Sequence, residues 1–571
     1  MTALEDNSTK HFQTEESGTD RSSSQTNGLM KIAISPFPEN FLRYIEENIS
    51  TSEVEVSQYI KQLLDFIVGC GCDTFMLTGT YKQADAILKV LHENGIPLNV
   101  FLSFSYLNDS PEHILQVLQH YGAIPYIDSE KVTYSDFQYA DRIIGWQIMD
   151  QPTCSDWGQV YSEIASYDAD GKYDNVAMNR LIMGYSLVST LGTRLKNGAA
   201  VSDLAVIFNL AAIPDLADRT DPKMQDNVMI WTGASKTYRE YVDVMDMMFK
   251  PKVWSYDFYP FTKSGDSSPI VVKSKEFFHY LSVFGNKVAQ LNIQKSKDNP
   301  QENANPVTRF WAYGMVTEHS CRNIQTGELL WVQPAPTLGM LRYEAFNALA
   351  YGAKGFAYWR LGLSVTQSNG DDTVYYYNAP IQCEITGNNS TPVFKLNPTW
   401  DNIRKVNEEI KELEQVFIGT SVKKCLHYPT WISHNEPYEG VPCVPNPSPD
   451  IDDPFKHFGT ESAGIVVSRL QKTTTAGTQN YLLIVNKDYQ NPQKISVTYI
   501  DVEQELIKYM AVDEPSVSYS QSVATLRLSL EVGGVMVFKW NVKNAIQPNK
   551  DNNDHIVVGI QETEYAIGGL S

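Results

Sequence analysis

From residue 29 onward the chain alternates short β-rich apolar runs with longer helical stretches, a rhythm that points to a parallel α/β fold. Eight runs have the length and composition of buried strands: 31–37 (KIAISPF), 74–79 (TFMLTG), 98–104 (LNVFLSF), 143–150 (IIGWQIMD), 204–210 (LAVIFNL), 253–259 (VWSYDFY), 309–317 (RFWAYGMVT) and 355–361 (GFAYWRL). Amphipathic stretches such as 55–68, 81–94, 112–121 and 338–351 lie between them. Eight such units in about 330 residues match a (β/α)₈ TIM barrel with long loops. The segment 287–293 (KVAQLNI) reads as a strand taken alone, but it continues a helical pattern that begins at Lys275.

After the eighth run the texture changes. Residues 400–417 (WDNIRKVNEEIKELEQVF) carry apolar side chains at three- and four-residue spacing, which predicts an amphipathic helix. Beyond it, 481–486, 495–500, 524–530 and 534–540 are short alternating runs between turn residues, the pattern of an antiparallel β-sandwich. The expected division is a polar leader (1–28), a barrel with its linking helix (29–418), a β-sandwich (419–543) and a tail (544–571) whose structure the pattern does not indicate. The leader is Ser, Thr, Asn, Asp and Glu with almost nothing apolar, so disorder is expected there. It lacks the apolar segment of a secretory signal. It also resembles the tether behind a trimmed export signal, so a periplasmic or cell-surface location stays open.

Charge narrows the partners. A formal net charge of −21 over 571 residues argues against nucleic acid or an anionic membrane surface and fits a neutral substrate. No run of about 18 apolar residues occurs, so no membrane span is expected. The seven cysteines (Cys70, Cys72, Cys154, Cys321, Cys383, Cys425 and Cys443) have no zinc or redox spacing and read as mostly reduced and structural. With isolated histidines, no glycine-rich phosphate loop after the first strand and no Gly-x-Ser-x-Gly elbow, no metal and no organic cofactor is expected. Aromatic residues are abundant (32 Tyr, 23 Phe, 10 Trp), which serves large cores and equally serves sugar binding, because the C–H faces of sugars pack on rings. The oligomeric state leaves no mark in the sequence.

In such a barrel the reacting groups sit at the C-terminal ends of the strands, where eight ends share one pocket. The fourth run ends in Asp150-Gln151-Pro152, the sixth in Asp257-Phe258-Tyr259-Pro260, the eighth in Tyr358-Trp359-Arg360, and Glu318-His319 follows the seventh. Sugar cleavage needs two carboxyls flanking the bond, and an aromatic floor usually accompanies them.

These residues carry a resemblance. GWQIMDQP resembles the fourth-strand motif of barrel glycoside hydrolases, in which Asp-Glu-Pro or Asn-Glu-Pro supplies the acid/base glutamate; SYDFYPF resembles their Asp-x-Tyr-Pro sixth-strand end. FWAYGMVTEHS with PAPTLGMLRYEAFNALAYGAKGFAYWRLG, and NEEIKELEQVFIG with LLIVNKDY and VGGVMVFKW, are similar to uncharacterised bacterial β-galactosidase-like hydrolases with a C-terminal β-sandwich. The resemblance implies an oligosaccharide or polysaccharide substrate. It implies Glu318 as nucleophile, with Asp150 and Gln151 on the leaving-group side, and substrate contacts from Asp257, Tyr259, His319 and Trp359. Relatives with a small residue in place of Glu318 have the more similar surroundings, so a solvated loop glutamate is the competing reading there.

One position departs from the pattern. Gln151 stands where the family has the acid/base glutamate, and an amide neither donates nor recovers the proton. Three readings follow: a catalytically inactive sugar binder, an enzyme that recruits Asp150 or another carboxyl, or a glutamate-to-glutamine trap made by design.

Overall fold

The computed structural model describes residues 29–103, 116–117, 119–122, 126–128, 131–133, 135, 137–150, 194–196, 199–201, 205–211, 238–249, 253–265, 268–298, 308–363, 366–369, 373–385, 391–428, 455–460, 464–474, 477–500, 503–520 and 523–541. It is a mixed α/β structure with a curled parallel sheet and antiparallel sheets in its C-terminal part. The parallel strands are β1 (Met30–Ile34), β2 (Thr74–Leu77), β3 (Asn99–Ser103), β4 (Ile143–Asp150), β5 (Ala205–Ala211), β6 (Val253–Asp257), β7 (Arg309–Met315) and β8 (Gly355–Trp359). Their pairings run in sequence from β1 to β8 and return from β8 to β1, closing a barrel. Each of the eight sequence runs overlaps one of these strands; six contain theirs whole, while β1 begins one residue before its run and β5 ends one residue after its own. Several runs overreach at the C-terminal end: β6 stops at Asp257 and β7 at Met315, because the aromatic and threonine residues that follow leave the sheet as rim loops.

Helices α1 (Glu39–Asn48), α2 (Glu53–Gly69), α3 (Tyr81–Glu93), α4 (Tyr238–Phe249), α5 (Ser274–Asp298), α6 (Leu338–Ala350) and α7 (Pro398–Phe417) lie between and after the strands. Residues 287–293 belong to α5, as the helical periodicity from Lys275 indicates. A capping box starts α3, with Thr80 and Gln83 each accepting the other's backbone N–H. At the start of α7, Asn397 accepts from Thr399 N and Pro398 occupies the first turn, where its missing N–H costs nothing. Ile403, Val406, Ile410 and Leu413 form its buried stripe, and Trp400 donates to Phe66 O at 3.1 Å.

Strand alternation divides the apolar residues into two layers. Met30, Ile32, Ile34, Met76, Phe101, Val253, Trp311, Tyr313 and Ala357 fill the barrel interior, while Ala33, Phe75, Trp254, Tyr256, Phe310, Phe356 and Tyr358 belong to the helix layer. Trp311 packs edge-on to Phe101 at 5.2 Å. Gly355 makes room for it, since a Cβ there would come within 2.6 Å of the indole.

The C-terminal part contains a five-stranded sheet (Ser421–Tyr428, Ile465–Thr474, Gly477–Asn486, Val535–Asn541, Glu503–Tyr509) and a four-stranded one (Phe455–Thr460, Gln493–Ile500, Val523–Leu530, Ser516–Ser520). Residues 482–485 read as an unbroken apolar run because both faces of that strand are buried. Leu482 and Ile484 pack with the four-stranded sheet, whereas Leu483 and Val485 join the core shared with the barrel's helix layer. Helix α6 lies between the barrel and this sheet, and for that reason residues 339–350 are buried all round.

This junction holds a titratable group. The His427 ring packs edge-on to Phe278 at 4.6 Å, with Tyr351 Oη 2.6 Å from Nε2 and Lys487 Nζ 3.5 Å from Nδ1. Burial, then the Lys487 charge, pulls the imidazole down to about 3. The folded state thus binds fewer protons than the unfolded one, whose histidine titrates near about 6.5. Stability from this group is complete above that value and falls as pH drops toward the folded pKa. A loss of about 2–3 kcal/mol is expected by about pH 4.5. Denaturant titrations at neutral and acid pH measure it. In His427→Gln the acid loss should be shallower, and an unchanged slope would assign the effect to other groups.

Candidate functional site at the C-terminal end of the barrel

The mouth is built from strand ends and from a sheet that grows out of them. Val253, an interior residue, sets the alternation of β6, which turns Ser255 and Asp257 to the same side. Asp257 ends the strand with Oδ1 buried. Two residues on, Tyr259 packs on Trp359, the last residue of β8, with ring centroids 5.5 Å apart. Both rings rest on the barrel's interior core. Trp359 faces inward because Tyr358 faces outward, where its hydroxyl donates to Asn407 Oδ1 of α7 at 2.5 Å.

Past β7, an antiparallel sheet of order Leu329–Gln333, Glu318–Asn323, Thr373–Asn378, Thr366–Asn369 brings further rings to this end. His319 stacks on Tyr377 at 4.2 Å, meets Trp331 edge-on at 4.6 Å and lies 5.9 Å from Trp359. The result is a continuous aromatic wall from Tyr259 through Trp359 and His319 to Tyr377. Burial, then the Arg360 charge, lowers the His319 pKa to about 4, so the ring is neutral at neutral pH. Its Nε2 is buried and has no hydrogen-bond partner among the described residues. A sugar hydroxyl reaches that nitrogen only if a neighbouring ring gives way.

Arg360 follows Trp359 and lies over its ring, 5.4 Å from the centroid. Thr317 Oγ1 donates to the Arg360 carbonyl, tying the ends of β7 and β8 together. Next to it the chain passes close to the end of β1: a Cβ on Gly362 would lie 2.0 Å from Pro36 O. Ser35, in that same β1 end, has φ 41°, a left-handed conformation that is costly for a side-chain-bearing residue and recurs at functional sites.

Glu318 opens the antiparallel sheet, and its Oε2 accepts from Asn378 Nδ2 at 3.2 Å. Gln382 and Asn397 both donate to Asn378 Oδ1, at 2.6 and 3.2 Å, which points the Asn378 amide nitrogen at the carboxyl. Neighbouring residues of a strand face opposite ways, so Glu318 and His319 lie on opposite faces of this sheet. Below the rim, Ser103 Oγ donates to the buried Gln147 at 2.5 Å.

Of the residues singled out from sequence, Tyr259, Trp359 and His319 come together as one wall, with Asp257 two residues before Tyr259. Glu318 is their chain neighbour on the other sheet face. Asp150 ends β4, its backbone in register with Asn209 of β5, which in turn pairs with Ser255 of β6. Gln151 lies outside the described residues. Trp331, Tyr375, Tyr377, Asn378 and Arg360 were not singled out. The β-branched and aromatic run TVYYYN at 373–378 was the available signal for the tyrosines. Among the described residues no cluster of His, Cys, Asp and Glu is suited to a metal ion, and no helix is long and apolar enough to cross a membrane.

No family model matches the sequence, and no curated protein matches it. Solved structures similar to the chain include a β-galactosidase from the psychrophilic Marinomonas ef1, at 12% identity and TM-score 0.32, covering 68% of this chain and 60% of that one. A second is Saccharomyces cerevisiae Gas2p, as a mutant in complex with laminaritetraose and laminaripentaose, at 10% identity and TM-score 0.29, covering 62% of this chain and 58% of that one. A third is a catalytic mutant of Gan42B, a GH42 β-galactosidase from G. stearothermophilus, at 8% identity and TM-score 0.42, covering 90% of this chain and 98% of that one. The chain thus spans about three fifths of the length of the first two.

Proposed function

We propose that this chain is a (β/α)₈ TIM barrel of glycoside-hydrolase type, followed by a β-sandwich domain that begins near residue 419, and that it acts on or binds an oligosaccharide at the barrel mouth. The observation that carries the reading is the aromatic wall of Tyr259, Trp359, His319 and Tyr377, with Asp257 at the strand end two residues before Tyr259. Flat rings next to fixed polar groups suit a pyranose, which offers an apolar face and a rim of hydroxyls. In the hydrolytic form Glu318, oriented by Asn378 on the sheet face opposite His319, is the nucleophile, which puts the scissile bond past the edge of the aromatic wall. Carboxyls about 5–5.5 Å apart across the bond give retention, and about 6.5–9.5 Å gives inversion with water between them. The alternative reading, a binding protein that does not turn its ligand over, is favoured by Gln151 in the acid/base position.

Trp359→Ala tests the shared part of both readings. Losing a central aromatic anchor is expected to weaken oligosaccharide binding about tenfold or more. A neutral glycan array followed by calorimetry on the hits measures it. Unchanged affinity in Trp359→Ala would move the binding site away from the barrel mouth.

A further inference from the structure

We infer that the mouth of the barrel carries a subsite for a carboxylate-bearing sugar, a uronic acid unit, centred on Arg360. The inference rests on the carbohydrate reading above and narrows its substrate class.

The Arg360 backbone is fixed from two sides. Its carbonyl accepts from Thr317 Oγ1, and the next residue, Leu361, donates its N–H to Ile34 O at the end of β1 at 3.0 Å. From this rigid base the guanidinium lies over the Trp359 ring, inside the aromatic wall. The side chain is about two-thirds buried, at 32% exposure. A guanidinium has five N–H donors. Among the described residues its nearest anion is Glu39, an exposed side chain whose Oε1 is 3.7 Å away, beyond hydrogen-bond distance. Arg342 shows what a structural arginine looks like in this protein: Glu409 holds it through two bonds of 2.9 and 2.5 Å, and Glu531 through a third. Arg360 has no such clamp among the described residues.

Its positive field also covers the wall, since it is the second cause, after burial, of the low His319 pKa. His319 is therefore neutral and adds no competing cation. A neutral sugar at the wall would leave the partly desolvated fork with only the long contact to Glu39. A uronate lying along the aromatic wall, beside the indole face that the guanidinium covers, would set its planar carboxylate against the planar fork, in the bidentate geometry that distinguishes arginine from lysine.

The experiment uses the full chain and calorimetry. The probes are oligogalacturonides and glucuronate-bearing xylo-oligosaccharides, each beside its methyl ester, which removes the charge and leaves the sugar intact. Wild type should prefer acid to ester by about tenfold or more, the range of a charge-assisted hydrogen-bonded pair. Arg360→Gln should erase that preference, acid and ester then binding alike, while the melting temperature holds. Glu39→Gln, which frees the fork, should leave acid affinity equal or raise it. Equal binding of acid and ester by wild type, or a preference that survives Arg360→Gln, overturns the inference. So does tighter binding of a sulfated oligosaccharide than of its carboxylated counterpart. Binding of neutral glycans without acid preference sinks only the uronate subsite. Failure of every glycan, neutral or acidic, sinks the carbohydrate reading on which it rests.

Discussion

Substituting glutamate for Gln151 is expected to raise hydrolysis of an unactivated oligosaccharide by about 10²–10⁴, the usual contribution of general acid–base catalysis. The amide of Gln151 has no proton to give to a departing alkoxide, and a carboxylic acid in its place has one. The gain requires a second carboxyl, and Glu318 is the proposed candidate. Its Oε2 accepts from Asn378, whose own orientation is set by Gln382 and Asn397. Gln151→Glu combined with Glu318→Gln should return activity to the level of the parent or below. Aryl glycosides with good leaving groups should gain less than natural oligosaccharides, because their departure needs less acid assistance. The measurement is a rate comparison of wild type, the single variant and the double variant on both substrate types. Robust turnover of an unactivated glycoside by wild type, insensitive to Gln151→Glu, would place the acid elsewhere and refute the reading of the fourth strand.

The barrel was legible because its signal is local. Each buried parallel strand is a short apolar run, and each amphipathic helix repeats at three and four residues, so position and type follow from a short window. Strand ends were less legible because rim loops are aromatic too: Phe258 and Tyr259 extend the apparent run of β6 past Asp257, where the sheet ends. The sheet above the mouth escaped notice for a different reason. Its two halves, 318–333 and 366–378, come from separate loops, and no local pattern tells that Tyr377 will stack on His319. Arg360 was read only as part of a strand end, since its position over Trp359 depends on how β7, β8 and β1 meet. The junction between the barrel and the C-terminal sheets was hidden likewise. Residues 482–485 announce burial on both faces, yet nothing in the run names the partner on either side.

Arg342 at that junction should be the most costly single side chain to remove. It is 2% exposed on α6, and it is held bidentately by Glu409 of α7 and by Glu531 in the loop between the C-terminal strands Val523–Leu530 and Val535–Asn541. One guanidinium therefore ties together the barrel's helix layer, the linking helix and the C-terminal sheets. Taking one partner from a buried ion pair leaves the other desolvated and uncompensated, which costs about 3–5 kcal/mol. Arg342→Met keeps most of the apolar stem and removes the charge, so its loss reports on the stranded carboxylates rather than on a cavity. Denaturant unfolding is expected to show a decrease of that size. Glu409 is the more buried of the two acids, at 12% exposure against 38% for Glu531. Adding Glu409→Leu to Arg342→Met should therefore recover part of the loss, since an apolar pair of similar volume is often as stable as the ion pair it replaces. The two substitutions touch, so their effects should be clearly non-additive in a double-mutant cycle. If Arg342→Met costs less than about 1 kcal/mol, the value typical of exposed pairs, then water reaches this cluster in solution and the barrel and the C-terminal sheets are joined chiefly by the apolar faces of α6 and the five-stranded sheet.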